Sequence, residues 1–461
     1  MKNGLILLSL SVMAGCAVMR PTDPYRAANR SVQVRAVEYP AVILTDGTMT
    51  LQQAIEFALS NNPEIAATEM DVSAARDRRD QIFSERLPKL SLTGSYTGNL
   101  DEQRILPVRQ PGEPAILSRD ILSGDIMLSM PIFTGGRLVN QVKAADLLRE
   151  ATLHRLARSR EELVFNISSV FYSILAQRHV IESLEFSMGA LEKHIQRIDA
   201  LIEAEKAAGV DRLRTEVRMA DVRQKLVNEK NIMTIQRRVL ANLLGLEKSF
   251  DTISLLGELE SQEKIPIPEL NTALTMAWES RDEYLAAKSN LEAQARKVDA
   301  ARAGYWPSLY IQGSYGQRWA AGPKIIGSGV KSGDVGRIGL AMELPLLDGG
   351  RINAIIREQR ADLAAAQERL GKLELQIRLE VESALSNIQS TEERMEATKT
   401  SIAQARESLR IEQQKYELGS GTIVDVLDAQ AALLETETTY YRIQSEYHTA
   451  AAQLQLAIGE K

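Results

Sequence analysis

Cysteine is almost absent: Cys16 is the only one in 461 residues, so no internal disulfide can staple the fold. Histidine is scarce as well. His154, His179, His194 and His448 show no metal-ligand spacing, and no GxxxxGKS/T, GxSxG or HExxH string occurs. These absences argue against an enzyme, a resident cofactor and a metal centre. The formal charge of −6 offers no basic footprint for nucleic acid. After the N-terminus there is no apolar run of about 18 residues, the length a membrane-spanning helix needs. Proline is missing from the 134 residues between Pro131 and Pro266 and from the 116 that follow Pro345. A proline inside a helix costs about 3 kcal/mol, so these gaps permit very long helices.

Ala, Glu, Leu, Arg and Gln fill those gaps, and the apolar spacing is helical. Leu370, Leu373, Ile377, Val381, Ala384 and Ile388 step by threes and fours. Glycines at Gly209, and at Gly419 with Gly421, mark turns between helices. The pattern predicts a long helix over 137–206, a turn and a shorter helix over 210–245. A second set follows at 352–416 and 423–459. Another helix opens each half, at 50–83 and 269–303, with Thr50 as N-cap of the first. One opener plus one returning helix, laid end to end, matches one long helix.

The chain states this plan twice. LPKLSLTGSY from Leu87 reappears as WPSLYIQGSY from Trp306, and Pro88, Gly94 and Tyr96 lie 219 residues before Pro307, Gly313 and Tyr315. PIFTGGRL from Pro131 reappears as PLLDGGRI from Pro345, now at an offset of 214. A tandem duplication with a five-residue length change between Tyr96 and Pro131 accounts for both offsets. It divides the chain into repeat 1 (50–249), a linker (250–265) and repeat 2 (266–461).

Between opener and long helix each repeat alternates apolar and polar residues. Ile126, Leu128 and Met130 share a face, as do Ile338, Leu340, Met342 and Leu344. These segments predict paired strands of about ten residues, the length that crosses an outer membrane when tilted. Tyr305 and Trp306 at one end of such a strand and Trp319 at the other fit interfacial girdles, or core packing at the junction. Pro131 with Gly135-Gly136, and Pro345 with Gly349-Gly350, mark the bends from strand to helix. Four strands cannot close a barrel, and an open edge in lipid leaves backbone groups unpaired. More than one chain is therefore required: two copies give eight strands, three give twelve.

Residues 1–15 read as a signal peptide, with Lys2 ahead of an apolar stretch. Met13-Ala14-Gly15-Cys16 resembles a bacterial lipobox, so Cys16 is the candidate lipidation site and 16–49 an extended, lipid-anchored segment; an ordinary signal peptide with an incidental cysteine is the alternative.

From about Thr50 onward the chain resembles the TolC family of outer-membrane efflux channels. The resemblance rests on the duplication, on the Gly-Gly-Arg motifs after Pro131 and Pro345, and on the turn YELGSGTIVDVLDAQ from Tyr416. It implies a mainly α fold with a small β part: long antiparallel helical hairpins forming an α-barrel, with four strands per chain in a trimeric 12-stranded transmembrane β-barrel. It also implies an outer-membrane location reaching into the periplasm, contact with outer-membrane lipid, and an equatorial setting for the linker. The implied function is passive conduction as the exit duct of a tripartite exporter, with a periplasmic adaptor and an inner-membrane pump as partners. A periplasmic helical-hairpin adaptor or structural coiled coil is the alternative class. Within the channel reading, type I protein secretion is the alternative to small-molecule efflux.

By the same resemblance, Asp425 and Asp428 would line the periplasmic constriction as acidic rings; three residues apart, they share a helix face. Ordinary acids of a helix N-terminus are the plainer reading. Tyr416 and Asp211 match the family's gate contacts, while Gly421 stands where the family carries an arginine. Tyr416 packing in the hairpin is the alternative.

Overall fold

In a computed structural model the described residues are 48–112, 116–205, 208–246, 254–259, 266–321 and 332–460. They belong to one compact unit, Leu44–Lys461. The expected signal peptide at 1–15, Cys16 and most of 16–49 lie outside the described residues, as does the expected linker apart from 254–259.

The fold is mainly helical with a small sheet. β1 (Thr48–Met49) leads into repeat 1, which opens with α1 (Leu51–Asn61) and α2 (Pro63–Ser84). Two strands follow, β2 (Lys89–Arg104) and β3 (Leu117–Thr134), then the long α3 (Arg137–Glu203) and the returning α4 (Gly209–Leu243). After β4 (Ser254–Leu255), repeat 2 has α5 (Leu270–Ser280), α6 (Asp282–Arg302), β5 (Ser308–Ala320), β6 (Ser332–Glu343), α7 (Arg351–Glu417) and α8 (Ile423–Ile458). The long helices have 67 residues each, which at 1.5 Å per residue is about 100 Å.

Each opener is two helices rather than the single one expected. The chain leaves helical geometry at Asn62 (ψ 125°) and at Arg281 (ψ 113°). At the first break Pro63 cannot donate a backbone hydrogen bond, and Asn62 caps the new helix by accepting from the amides of Glu64 and Ile65. The Asn62 amide also donates to the Leu243 carbonyl, so one side chain ties the start of α2 to the end of α4. Arg281 holds the matching position 219 residues on. Its fully buried guanidinium pairs with Glu283 at 3.0 Å and with Glu380 of α7.

Of the six strands among the described residues, β1 and β4 pair in parallel, and the four long ones form one antiparallel sheet in the order β2-β3-β5-β6. At 12 to 18 residues they exceed the expected ten; longer strands reach the same height when more steeply tilted. The duplication survives at the level of register. Leu90 faces Leu128, and Leu309 faces Met342, their counterparts at offsets of 219 and 214. The length change is therefore confined to the hairpin loops. Pro131 lies inside β3, beside a bulge before Phe133 where the ladder is interrupted; Pro345 follows the end of β6. The bends come at Gly135-Gly136 and Gly349-Gly350, all four with φ between 63° and 88°. A β-carbon on Gly135 would also lie 2.6 Å from Trp306 Cβ and 2.7 Å from the Ala303 carbonyl, whereas Gly349 faces open space.

Among the helices, α3 packs between α2 and α4 on one flank and α6 and α8 on the other, while α7 packs on α6 and α8. Ala273 and Ala277 of α5, Ile377, Val381, Ala384 and Ile388 of α7, and Tyr447, Leu454 and Ile458 of α8 share one core. Small residues on α5 let the helix ends meet closely there. A second core, near the hairpin tips, joins Leu184, Leu191 and Ile198 of α3 to Val222 of α4 and Ile423, Val426 and Leu427 of α8.

Candidate functional site

The second hairpin tip is closed by backbone geometry. The amides of Ser420 and Gly421 both donate to the Lys415 carbonyl, at 2.9 and 3.1 Å, around Gly419 at φ 73°. Gly421 lies against Lys415, where a β-carbon would come within 2.9 Å of the lysine Cβ. Any side chain at this position requires the turn to shift.

Thr422 and Asp425 then form a capping box. The Asp425 amide donates to the Thr422 hydroxyl, and the Asp425 carboxylate accepts from the Thr422 amide at 3.0 Å and hydroxyl at 2.7 Å. The Thr422 hydroxyl, and then its amide, hold the Asp425 carboxyl below the usual range. Asp425 thus starts α8 as well as presenting charge. Asp428 is exposed and makes no hydrogen bond or ion pair among the described residues.

Tyr416 packs against the tip core, and its hydroxyl is buried without a hydrogen-bond partner among the described residues. Burial first, and the nearby Asp211 carboxylate second, push this phenol above its usual pKa. The chain makes no Tyr416–Asp211 hydrogen bond. Asp211 sits in the first turn of α4, 3.8 Å from Arg214. Gly209 is the first residue of α4 rather than the left-handed residue of its turn. That conformation falls on Glu205, at φ 59°.

An ion pair that sequence reading missed joins the two hairpins: Arg197 of α3 reaches Glu417 of α7 at 2.8 Å, both half-exposed. Pairs of this exposure contribute about 0–1 kcal/mol. Nothing in the spacing announces it, because 220 residues separate the partners. Beside it, burial first and Arg197 second lower the pKa of His194. The other histidines have structural partners: His154 with Asp282 at 2.6 Å, His179 with Glu182 at 2.9 Å, His448 with the Leu259 carbonyl at 2.9 Å. Among the described residues no group of three or more His, Cys, Asp or Glu is placed to hold a metal ion.

The sheet has two unlike faces. Leu90, Leu92, Tyr96, Ile126, Tyr315, Ile338, Leu340 and Met342 share one and are exposed on it. The opposite face carries Ser91, Thr93, Ser95, Ser123, Gln312, Ser314 and an ion pair, Arg318 with Asp125 at 2.9 Å. Gly316 stands directly opposite Asp125, and any β-carbon there would overlap that carboxylate. No helix among the described residues is long and apolar enough to cross a membrane.

A family described as Outer membrane efflux protein matches residues 54–246 and 273–460. The outer membrane protein TolC of Vibrio cholerae serotype O1 is 20% identical over 402 residues, covering 87% of this chain and 89% of that protein. The outer membrane protein OprJ of Pseudomonas aeruginosa is 25% identical over 434 residues, covering 89% and 84%. In structure, the CmeC outer membrane channel of Campylobacter jejuni superposes with a TM-score of 0.76 at 16% identity, covering 89% of this chain and 85% of that one.

Proposed function

The chain belongs to the outer membrane efflux protein family, and on that premise we propose that it is the exit duct of a tripartite export system. The outer membrane is its location. Three copies would close their sheets into a 12-stranded barrel and their helices into a tunnel across the periplasm. An adaptor and an inner-membrane pump would supply selection and energy.

One observation carries this reading. A sheet with an apolar face, a polar face and two open edges runs directly into two helices of 67 residues. The apolar face suits lipid and the polar face a water-filled lumen, and only closure with further copies satisfies the edges. Its test is the purified full-length protein in a planar bilayer. A trimeric mass with stable conductance is expected; a monomer without conductance overturns the proposal.

At the periplasmic end, Asp428 and Asp425 would form rings of three carboxylates that favour cations. Asp428 is the stronger contributor, since Thr422 already compensates part of the Asp425 charge. Replacing both by alanine is expected to reduce cation selectivity and block by multivalent cations. Unchanged reversal potentials would reject the assignment. Tyr416 and Asp211 act at the same tip through proximity of charge to a buried phenol. Lipidation of Cys16 completes the reading, with residues 1–15 removed as the signal peptide; radiolabelled palmitate absent from the mature protein would exclude it.

A further inference from the structure

The Gly-Gly-Arg motif occurs once in each repeat, and the bends account only for its glycines. Its arginines, Arg137 and Arg351, are the first residues of α3 and α7. α6 packs on both of these helices, and the two arginines line one cavity of about 540 Å³ together with Lys297 of α6. Among the described residues none of these cations makes an ion pair or a side-chain hydrogen bond. One carboxylate, Glu343, lines the same cavity. Positive charge is therefore in excess there, and the N-termini of two 67-residue helices add to it.

The two repeats differ at this point. Asp348 of repeat 2 turns its carboxylate onto the start of α7, where it accepts from the Gly350 amide at 2.9 Å and the Ile352 amide at 2.7 Å. It also lies close enough to Arg351 for their charges to interact. The residue 214 positions earlier is Thr134, which lines the cavity and carries no charge. The start of α3 thus lacks the carboxylate that the start of α7 has. Gln141, one turn further along α3, also lines the cavity, and its buried Oε1 has no hydrogen-bond partner among the described residues. Trp306, 62% exposed, and Tyr310 supply an aromatic wall. Tyr310 is two residues from Gln312 on β5, so the cavity lies at the foot of the polar face of the sheet.

We propose that this cavity binds an organic anion, a carboxylate attached to an apolar body, with the carboxylate held at the start of α3 by Arg137 and Lys297 in the place that Asp348 takes in repeat 2. The guanidinium fork matches the two oxygens of a carboxylate, and the apolar body lies against Trp306. Every lining residue comes from one chain, so binding needs no second copy. The place of the site on the path of a solute rests on the duct reading, in which the polar face lines the lumen.

Equilibrium dialysis of the full-length protein in non-ionic detergent against radiolabelled cyclohexanecarboxylate tests the site. Saturable binding of one molecule per chain is expected, without competition from neutral cyclohexylmethanol. Arg137→Gln and Lys297→Gln are each expected to weaken binding about tenfold, through loss of one charge-assisted hydrogen bond. Thr134→Asp removes no cation and supplies the missing carboxylate from within, and is expected to abolish binding. No saturable binding in the parent, or undiminished binding in Thr134→Asp, overturns the site. Inorganic phosphate that competes as well as the unlabelled acid overturns the organic-acid assignment. Native mass and bilayer conductance of the same preparation keep the two readings apart. A conducting trimer that does not bind overturns the site and keeps the duct; a non-conducting monomer that binds overturns the duct and keeps the site.

Discussion

The two hairpin turns occupy matching positions in the repeats and are closed by different means. In the second, Gly419 takes the left-handed conformation, the Lys415 carbonyl accepts from Ser420 and Gly421, and Thr422 with Asp425 caps α8. In the first, Glu205 is left-handed, and Ala208, the N-cap of α4, makes no side-chain capping bond. A non-glycine residue in that region costs about 1–2 kcal/mol, and a missing cap about 1 kcal/mol. The well-built turn is also the one that carries the exposed Asp428. The contrast teaches that duplication copied the architecture, while local chemistry was refined in one copy.

The same asymmetry recurs where the openers break, and the largest expected effect is there. Arg281→Ala empties the site of a fully buried side chain and takes the cation from Glu380 and Glu283, which are 35% and 38% exposed, and is expected to cost about 3 kcal/mol. Asn62→Ala loses a cap and one hydrogen bond, about 1–2 kcal/mol. Thermal unfolding of the helices, followed by circular dichroism in detergent, measures both; equal losses would erase the contrast. At the bends, Gly135→Ala is expected to cost about 2–3 kcal/mol, because strain adds to overlap with Trp306 and Ala303. Gly349→Ala incurs strain alone, about 1 kcal/mol, and the same melts report the difference.

Exchanging the turn chemistry tests the opening comparison directly. Glu205→Gly is expected to stabilise repeat 1 by about 0.5–1 kcal/mol, and Thr422→Ala to destabilise repeat 2 by about 1 kcal/mol. Hydrogen exchange at the two tips resolves them separately. The smallest effect is on pH dependence. The Asp425 carboxyl titrates below its ordinary range, so its contribution to the second turn is complete above that range and lost as pH falls through the lowered value. In Thr422→Ala the titration returns toward the ordinary range, so protection of this tip is lost at a higher pH than in the parent. An unmoved acid edge would show that Thr422 does not hold the carboxylate.

Much of this architecture was legible because a duplication lets one half check the other. The long helices followed from missing proline, and the offsets of 219 and 214 located the hairpin loops before any coordinate. The capping box was also written in the sequence, as Thr422 three residues before Asp425, although reading those aspartates for their charge passed over it. The break at Asn62 carried a signal in Pro63. Its counterpart at Arg281 has no proline, and only the repeat offset could have found it. Glu205 was invisible, since nothing in a Glu-Lys-Ala-Ala string demands a left-handed residue. The Arg197–Glu417 and Asp125–Arg318 pairs join residues far apart in the chain, and spacing rules reach only neighbours on one helix or strand.

The equal length of α3 and α7 has a consequence for how such a chain can change. A helix that must end level with its neighbours acts as a ruler. One inserted residue lengthens it by about 1.5 Å and turns everything beyond by about 100°, which removes the packed face from its seat. Loops at the outer end tolerated a difference of five residues between repeats; the two long helices differ by none. Growth or shrinkage of the tube therefore has to occur in whole turns and in both repeats together, which makes its height a quantised inheritance while its rim remains free to drift.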